Sequence, residues 1–132
     1  GGEGNGGVIY PELHYGRDAL VGIALLLSHL AHKKCKTTEL RDSYPAYCIS
    51  KNKIQLTPEI NVDEILSKMA KKYSAEEVDT TDGVKIYIDK EWVHLRKSNT
   101  EPIIRIYSES ASKLKADKLA EKIIQEINAL LD

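Results

Sequence analysis

The segment HLRKSNTEPIIRIY, residues 94–107, gathers the groups that an oxyanion needs. Arg96 ends one alternating run, Ser98, Asn99 and Thr100 form a small polar turn, Pro102 starts the next run, and Arg105 returns along it. Successive backbone N–H groups, two hydroxyls and an amide, with guanidinium groups close by, can give a phosphate dianion several charge-assisted hydrogen bonds. Ser, Asn and Thr are also good turn formers, so spacing alone equally describes an ordinary hairpin with a solvated arginine.

A second candidate opens the chain. GGEGNGG contains G-x-G-x-x-G through Gly2, Gly4 and Gly7. The dinucleotide fingerprint needs a strand before it and a helix at its end, and here an extended VIYPE follows the glycines instead. The Rossmann reading is set aside. Glu3 and Asn5 between glycines nevertheless combine close backbone approach with a carboxylate and an amide, which suits the hydroxyls of a polyol or sugar. His29, His32 and Cys35 recur every three residues but have no carboxylate nearby and match no tight zinc spacing, so they read as the polar edge of a helix and no metal is expected. No G-x-S-x-G or comparable context supports a nucleophilic triad, and His14 and His94 receive no role.

The elements that must position these groups fit a chain of 132 residues, 42% apolar and 30% charged, which describes one or two small packed domains. A formal net charge of −1 leaves no global positive field to recruit nucleic acid or an acidic membrane. The longest apolar run, Ala19 to Leu27, is too short to span a bilayer, and Gly1 to Gly7 lacks the basic and apolar regions of a signal peptide. With only Cys35 and Cys48, reduced thiols and a cytoplasmic location are expected.

A division falls near Tyr44-Pro45. Before it, a helix capped by Asp18 is apolar around nearly its whole circumference and calls for burial on several sides, and a short element follows with Thr37 as its cap. About 43 residues with one such helix cannot bury it alone, so this segment reads as the end of something larger. From Ala46 the pattern is complete in itself: a strand-like run from Ala46 to Leu56, a helix at Val62 with Asn61 and Glu64 as a capping box, three alternating runs around Val84–Ile88, Trp92–Arg96 and Ile104–Tyr107, and a helix from about Ser112. That order implies an α+β domain with a four-stranded, mostly antiparallel sheet and two helices on its Val/Ile/Leu face. Lys85, Tyr87, Trp92, His94, Arg96, Arg105 and Tyr107 then share the opposite face, an arrangement that could also stack RNA bases, although no RNP-like string is present.

Taken together, the two loops resemble those of a known family. Gly2-Glu3-Gly4-Asn5-Gly6-Gly7 resembles the sugar-binding loop G-E-x-S-G-H of the α-D-phosphohexomutases, and residues 96–105 resemble their phosphate-binding loop R-x-S-[GN]-T-E-P-x-x-R. The resemblance covers essentially the whole chain. It implies the end of a third, sugar-binding α/β domain (1–43) and a complete fourth domain (44–132) with a TATA-binding-protein-like fold. Carried over by position, Glu3 receives sugar hydroxyls, Asn5 stands where serine is usual, Gly7 stands where histidine is common, and Arg96, Ser98, Asn99 and Thr100 grip the non-transferred phosphate with Arg105 in support. T-A-S-H-N-P-like and D-G-D-x-D-R-like segments do not occur, so the phosphoserine and the Mg²⁺ ligands of the full-length enzyme are expected outside these residues and the chain alone is expected to be inactive. The implied reaction interconverts hexose 1- and 6-phosphates through a bisphosphorylated intermediate, with glucosamine phosphate as substrate and mannose or glucose phosphate as the alternative. The expected partners are the phosphosugar and the enzyme's remaining domains. A stand-alone phospholigand- or RNA-binding domain is the non-enzymatic alternative.

Overall fold

The computed structural model describes residues 1–2, 6–57 and 59–131. The chain divides into two compact units, Gly1–Pro45 and Ala46–Asp132.

In the first unit, Gly2 bridges Val8 and Tyr10 bridges His14 by antiparallel backbone pairing. Helix α1 (Ala19–Lys33) begins where the Asp18 carboxylate accepts the Val21 N–H at 3.0 Å, and ends where Lys34 turns left-handed at φ 52°. Asp18 also takes the His14 ring, Nε2 to Oδ2 at 3.0 Å, and the Val21 N–H followed by this histidine holds its carboxyl below the usual range. No residue of α1 is buried, and Leu20, Ile23 and Leu27 are among its exposed apolar side chains. Helix α2 (Thr37–Asp42) corrects one expectation: Thr37 is its first residue rather than its cap, because the Glu39 carboxylate reaches back to accept the Lys36 N–H at 2.8 Å.

The second unit is a sheet with two helices. Strands β1 (Cys48–Gln55), β2 (Glu77–Asp79), β3 (Val84–Ile88), β4 (Glu91–Lys97) and β5 (Ile103–Ser110) lie in the order β1-β5-β4-β3-β2, with every pairing antiparallel. The expected four strands are therefore five. β2 escapes sequence reading because three residues with a single apolar member, Val78, carry no alternation; it exists because Val78 pairs with Ile86 and packs against the core. Helices α3 (Val62–Lys72) and α4 (Lys113–Asn128) supply Ile65, Leu66 and Met69, and Leu119, Ile123 and Ile127, to a core shared with Val84, Ile86, Val93, Leu95, Ile104 and Ile106. The α3 cap is half of the expected box. Asn61 Oδ1 accepts the N–H groups of Asp63 and Glu64, whereas the Glu64 carboxylate pairs forward with Lys68 at 2.8 Å instead of returning to the cap.

Polar groups that enter the core layer find partners. Ser108 Oγ donates to the Ala116 carbonyl at 2.7 Å, and the Tyr73 hydroxyl donates to the Glu126 carboxylate at 3.0 Å. Burial, followed by this carboxylate, raises the Tyr73 phenol above its ordinary range.

The turn before β3 leaves no room for a side chain. Gly83 has φ +77°, and a Cβ there would stand 2.2 Å from the Leu95 carbonyl oxygen. Gly83→Ala should destabilise the fold by about 2 kcal/mol or more, through left-handed strain and a backbone clash. Urea unfolding checks this, and a midpoint equal to that of the unsubstituted chain would contradict it.

Candidate functional site

The candidate anion loop is the connection between β4 and β5. Antiparallel register fixes its base: Lys97 pairs with Ile104, Arg96 with Arg105, and Leu95 with Ile106. Above this ladder the Ser98 N–H donates to the Ile103 carbonyl at 3.2 Å, and the Ile103 N–H donates to the Glu101 carbonyl at 2.8 Å. The Leu56 N–H donates to the Pro102 carbonyl at 2.9 Å, tying the end of the loop to the chain just beyond β1. Pro102 thus stands just before β5 rather than beginning it.

Within the loop, Ser98 is buried, and its Oγ lies 3.4 Å from both the Thr100 N–H nitrogen and Thr100 Oγ1. Asn99 is exposed and has no protein hydrogen-bond partner among the described residues. A cleft of about 190 Å³ is lined by Arg96, Lys97, Ser98, Asn99, Thr100 and Arg105. All five phosphate-site residues expected from the sequence therefore meet at one cavity, joined by Lys97.

The cations around the cleft are held unequally. Arg96 Nη2 pairs with Asp82 Oδ2 at 2.8 Å, and Lys97 Nζ with Asp63 Oδ2 at 2.7 Å, so acids from the β2–β3 turn and the first turn of α3 anchor the strand on either side of the loop's start. Asp82 is fixed in turn: its carbonyl accepts a hydrogen bond from His94 Nε2 at 2.6 Å, which gives His94 a structural role that the sequence did not reveal. Arg105 has no acidic partner among the described residues, although Arg96 stands opposite it on one neighbouring strand and Lys53 on the other. Like charges directly opposite across a ladder are destabilising, so this row has a standing electrostatic cost that an anion would relieve.

The open face also bears on the base-stacking alternative. Lys85 Nζ lies 4.5 Å from the Trp92 ring centroid and 4.8 Å from that of Tyr87, and Lys51 Nζ lies 5.6 Å from that of Tyr107. The Trp92 indole N–H donates to Glu109 Oε1 at 2.8 Å. The sheet's own side chains already engage these rings, which weakens the case for a stacking platform. Glu3 and Asn5, the expected sugar-binding residues, lie outside the described residues. Among the described residues no three His, Cys, Asp or Glu side chains group as metal ligands, and no helix is long and apolar enough to cross a membrane.

The second unit is thus a small α+β domain, an antiparallel sheet with two helices, that carries a loop flanked by Arg96, Lys97 and Arg105 at one end. The model of the phosphoglucomutase/phosphomannomutase C-terminal domain matches residues 51–126, and the chain belongs to that family. It is 39% identical over 132 residues to the phosphoglucosamine/phosphogalactosamine mutase of Sulfurisphaera tokodaii, covering 98% of this chain and 28% of that protein. It is 40% identical over 131 residues to the phosphoglucomutase/phosphomannomutase of Thermococcus kodakarensis, again covering 28% of the relative. The crystal structure of a phosphoglucomutase/phosphomannomutase family protein from Burkholderia thailandensis shares the fold, with a TM-score of 0.71 at 24% identity over 97% of this chain and 27% of that one. The chain thus spans little more than a quarter of the length of these relatives.

Arg105→Gln keeps a polar side chain but removes the charge that lacks an acidic partner. It should weaken inorganic phosphate binding by about tenfold or more, the value of a charge-assisted hydrogen bond, as read from amide shifts of Ser98, Asn99 and Thr100 during titration. Equal affinity in the two proteins would remove Arg105 from the site.

Proposed function

We propose that this chain is the C-terminal part of a phosphohexomutase, and that its β4–β5 loop holds the substrate phosphate that is not being transferred. The observation that carries the reading is the convergence of Arg96, Ser98, Asn99, Thr100 and Arg105 on one cleft, in a chain whose relatives are named as mutases. Residues 1–43 would be the end of the sugar-binding domain and 44–132 the phosphate-binding domain, a reading supported by the division of the chain at Pro45. Glu3 and Asn5 would receive sugar hydroxyls.

The chemistry of the loop suits a reaction in which either end of the sugar presents its phosphate. Backbone amides, hydroxyls and permanently charged guanidinium groups recognise a dianion without recognising the carbon that bears it. Gripping the remote phosphate turns its binding energy into positioning of the reacting one. The phosphoserine that exchanges the phosphoryl group, and the ligands of Mg²⁺, would lie in the remainder of the full-length enzyme. Among the described residues no group of three His, Cys, Asp or Glu side chains could hold that ion.

Glucosamine phosphate is the preferred substrate in this reading, with mannose or glucose phosphate as the alternative. It is favoured by the relative from Sulfurisphaera tokodaii, named as a phosphoglucosamine/phosphogalactosamine mutase. A cytoplasmic location accords with that substrate.

In the full-length protein Arg96→Ala should lower kcat/KM for interconversion of glucosamine 1- and 6-phosphate by at least about tenfold, corresponding to one charged hydrogen bond of about 1.5 to 3 kcal/mol. Steady-state kinetics unchanged by the substitution would remove Arg96 from the site. Activity confined to mannose or glucose phosphate would overturn the choice of sugar.

A further inference from the structure

Of the two arginines at the loop, Arg96 has a carboxylate beside it and Arg105 has none among the described residues. Register places these neighbours on opposite flanks of Arg96. Arg105 stands across from it on β5, whereas Val84 pairs with Leu95, so the turn carrying Asp82 runs beside Arg96 on the β3 side. From there Asp82 Oδ2 meets Arg96 Nη2 at 2.8 Å. Arg96 lines the loop cleft and Asp82 does not. The acid therefore stands behind the guanidinium and outside the space that an anion would take. The turn that presents it is fixed at three points: Asp79 Oδ1 accepts the Thr81 N–H at 2.8 Å, the Asp82 carbonyl accepts a hydrogen bond from His94 Nε2 at 2.6 Å, and Gly83, at φ +77°, lets the backbone approach the Leu95 carbonyl.

We infer that Asp82 is a positioning residue for the phosphate loop: it holds the Arg96 guanidinium in the orientation that meets the anion, and it touches no ligand itself. The inference rests on the loop being a phosphate site, as proposed above. A long arginine side chain on the open face of a strand has many rotamers, and ordering it at the moment of binding costs affinity. An acid mounted on a fixed turn removes that cost beforehand. The ion pair engages Nη2 and leaves the other guanidinium N–H groups for the cleft. The bound state is then an alternating series of Asp82, Arg96, phosphate and Arg105, in which the anion separates the two like charges that face each other across the ladder. Two rival roles fit the observations less well. A carboxylate that competed with phosphate for Arg96 would line the cleft, and Asp82 does not. A pair that served the fold would be buried, whereas the Arg96 and Asp82 side chains are 49% and 65% exposed, and ion pairs in that setting contribute little to stability.

The test is a double-mutant cycle on the 132-residue chain: the unsubstituted protein, Asp82→Asn, Arg96→Gln and the combination of both, each titrated with inorganic phosphate and read from the amide shifts of Ser98, Asn99 and Thr100. Asp82→Asn should weaken phosphate binding by about threefold to tenfold, the ordering cost of one long side chain, although it removes a negative charge near an anion. Once Arg96 is Gln, the same substitution should cost nothing further. Urea midpoints of the unsubstituted protein and Asp82→Asn should agree, because the pair is exposed. Phosphate binding that is unchanged or tighter in Asp82→Asn would overturn the inference, the latter by showing that the carboxylate competes with the ligand. So would a loss that persists without Arg96, or one accompanied by a fallen urea midpoint, since either would make Asp82 a support of the fold. Phosphate that shifts none of Ser98, Asn99 and Thr100 in the unsubstituted protein would instead overturn the loop assignment, and the inference would fall with it.

Discussion

Arg96 and Arg105 face one another across the β4–β5 ladder, and the architecture of the second unit holds them there despite their repulsion. Lys53 extends the row on the other side of Arg105. A soluble sheet with no ligand to bind would disperse these charges or set acids among them, since opposite charges across a ladder stabilise and like charges do not. Acids are present but stand to one side: Asp82 takes Arg96 and Asp63 takes Lys97, and Arg105 has no acidic partner among the described residues.

What keeps the arginines opposed is the layer beneath them. Leu95 and Ile106, one residue from Arg96 and Arg105, are fully buried against the helices, as are Val93 and Ile104. A slip of one residue in the pairing would bring the arginines to the core face and the leucine and isoleucines to water, so apolar burial enforces the register and with it the charge row. Gly83 adds a second restraint by allowing the β2–β3 turn to approach the Leu95 carbonyl closely, and the same turn carries the Asp82 carboxylate that orients Arg96. The loop is therefore preorganised by elements outside itself, as charged recognition requires if ordering is not to consume the binding energy.

Much of this was legible in the sequence. Alternation of apolar and polar residues located β3, β4 and β5 with their faces, helical stripes located α3 and α4, and the S-N-T turn between two arginines marked the loop. What was not legible depended on long-range pairing. β2 has a single apolar residue and owes its existence to β3. Nothing local reveals that β1 pairs with a strand some fifty residues later and brings Lys53 beside Arg105. Glu64 and Thr37 misled for the opposite reason: each has a residue type that a capping motif uses, but a different contact, Lys68 with Glu64 in one case and Lys36 with Glu39 in the other, decides the local geometry.

In the function proposed above, the opposed arginines are an unfavourable pair that a bound dianion relieves. Denaturant unfolding of the chain and its Arg105→Gln variant, each with and without saturating inorganic phosphate, tests it directly. Without phosphate the variant should be at least as stable as the unsubstituted chain, and phosphate should stabilise the unsubstituted chain much more than the variant. A variant less stable in both conditions, with equal gains from phosphate, would show that Arg105 supports the fold rather than a ligand.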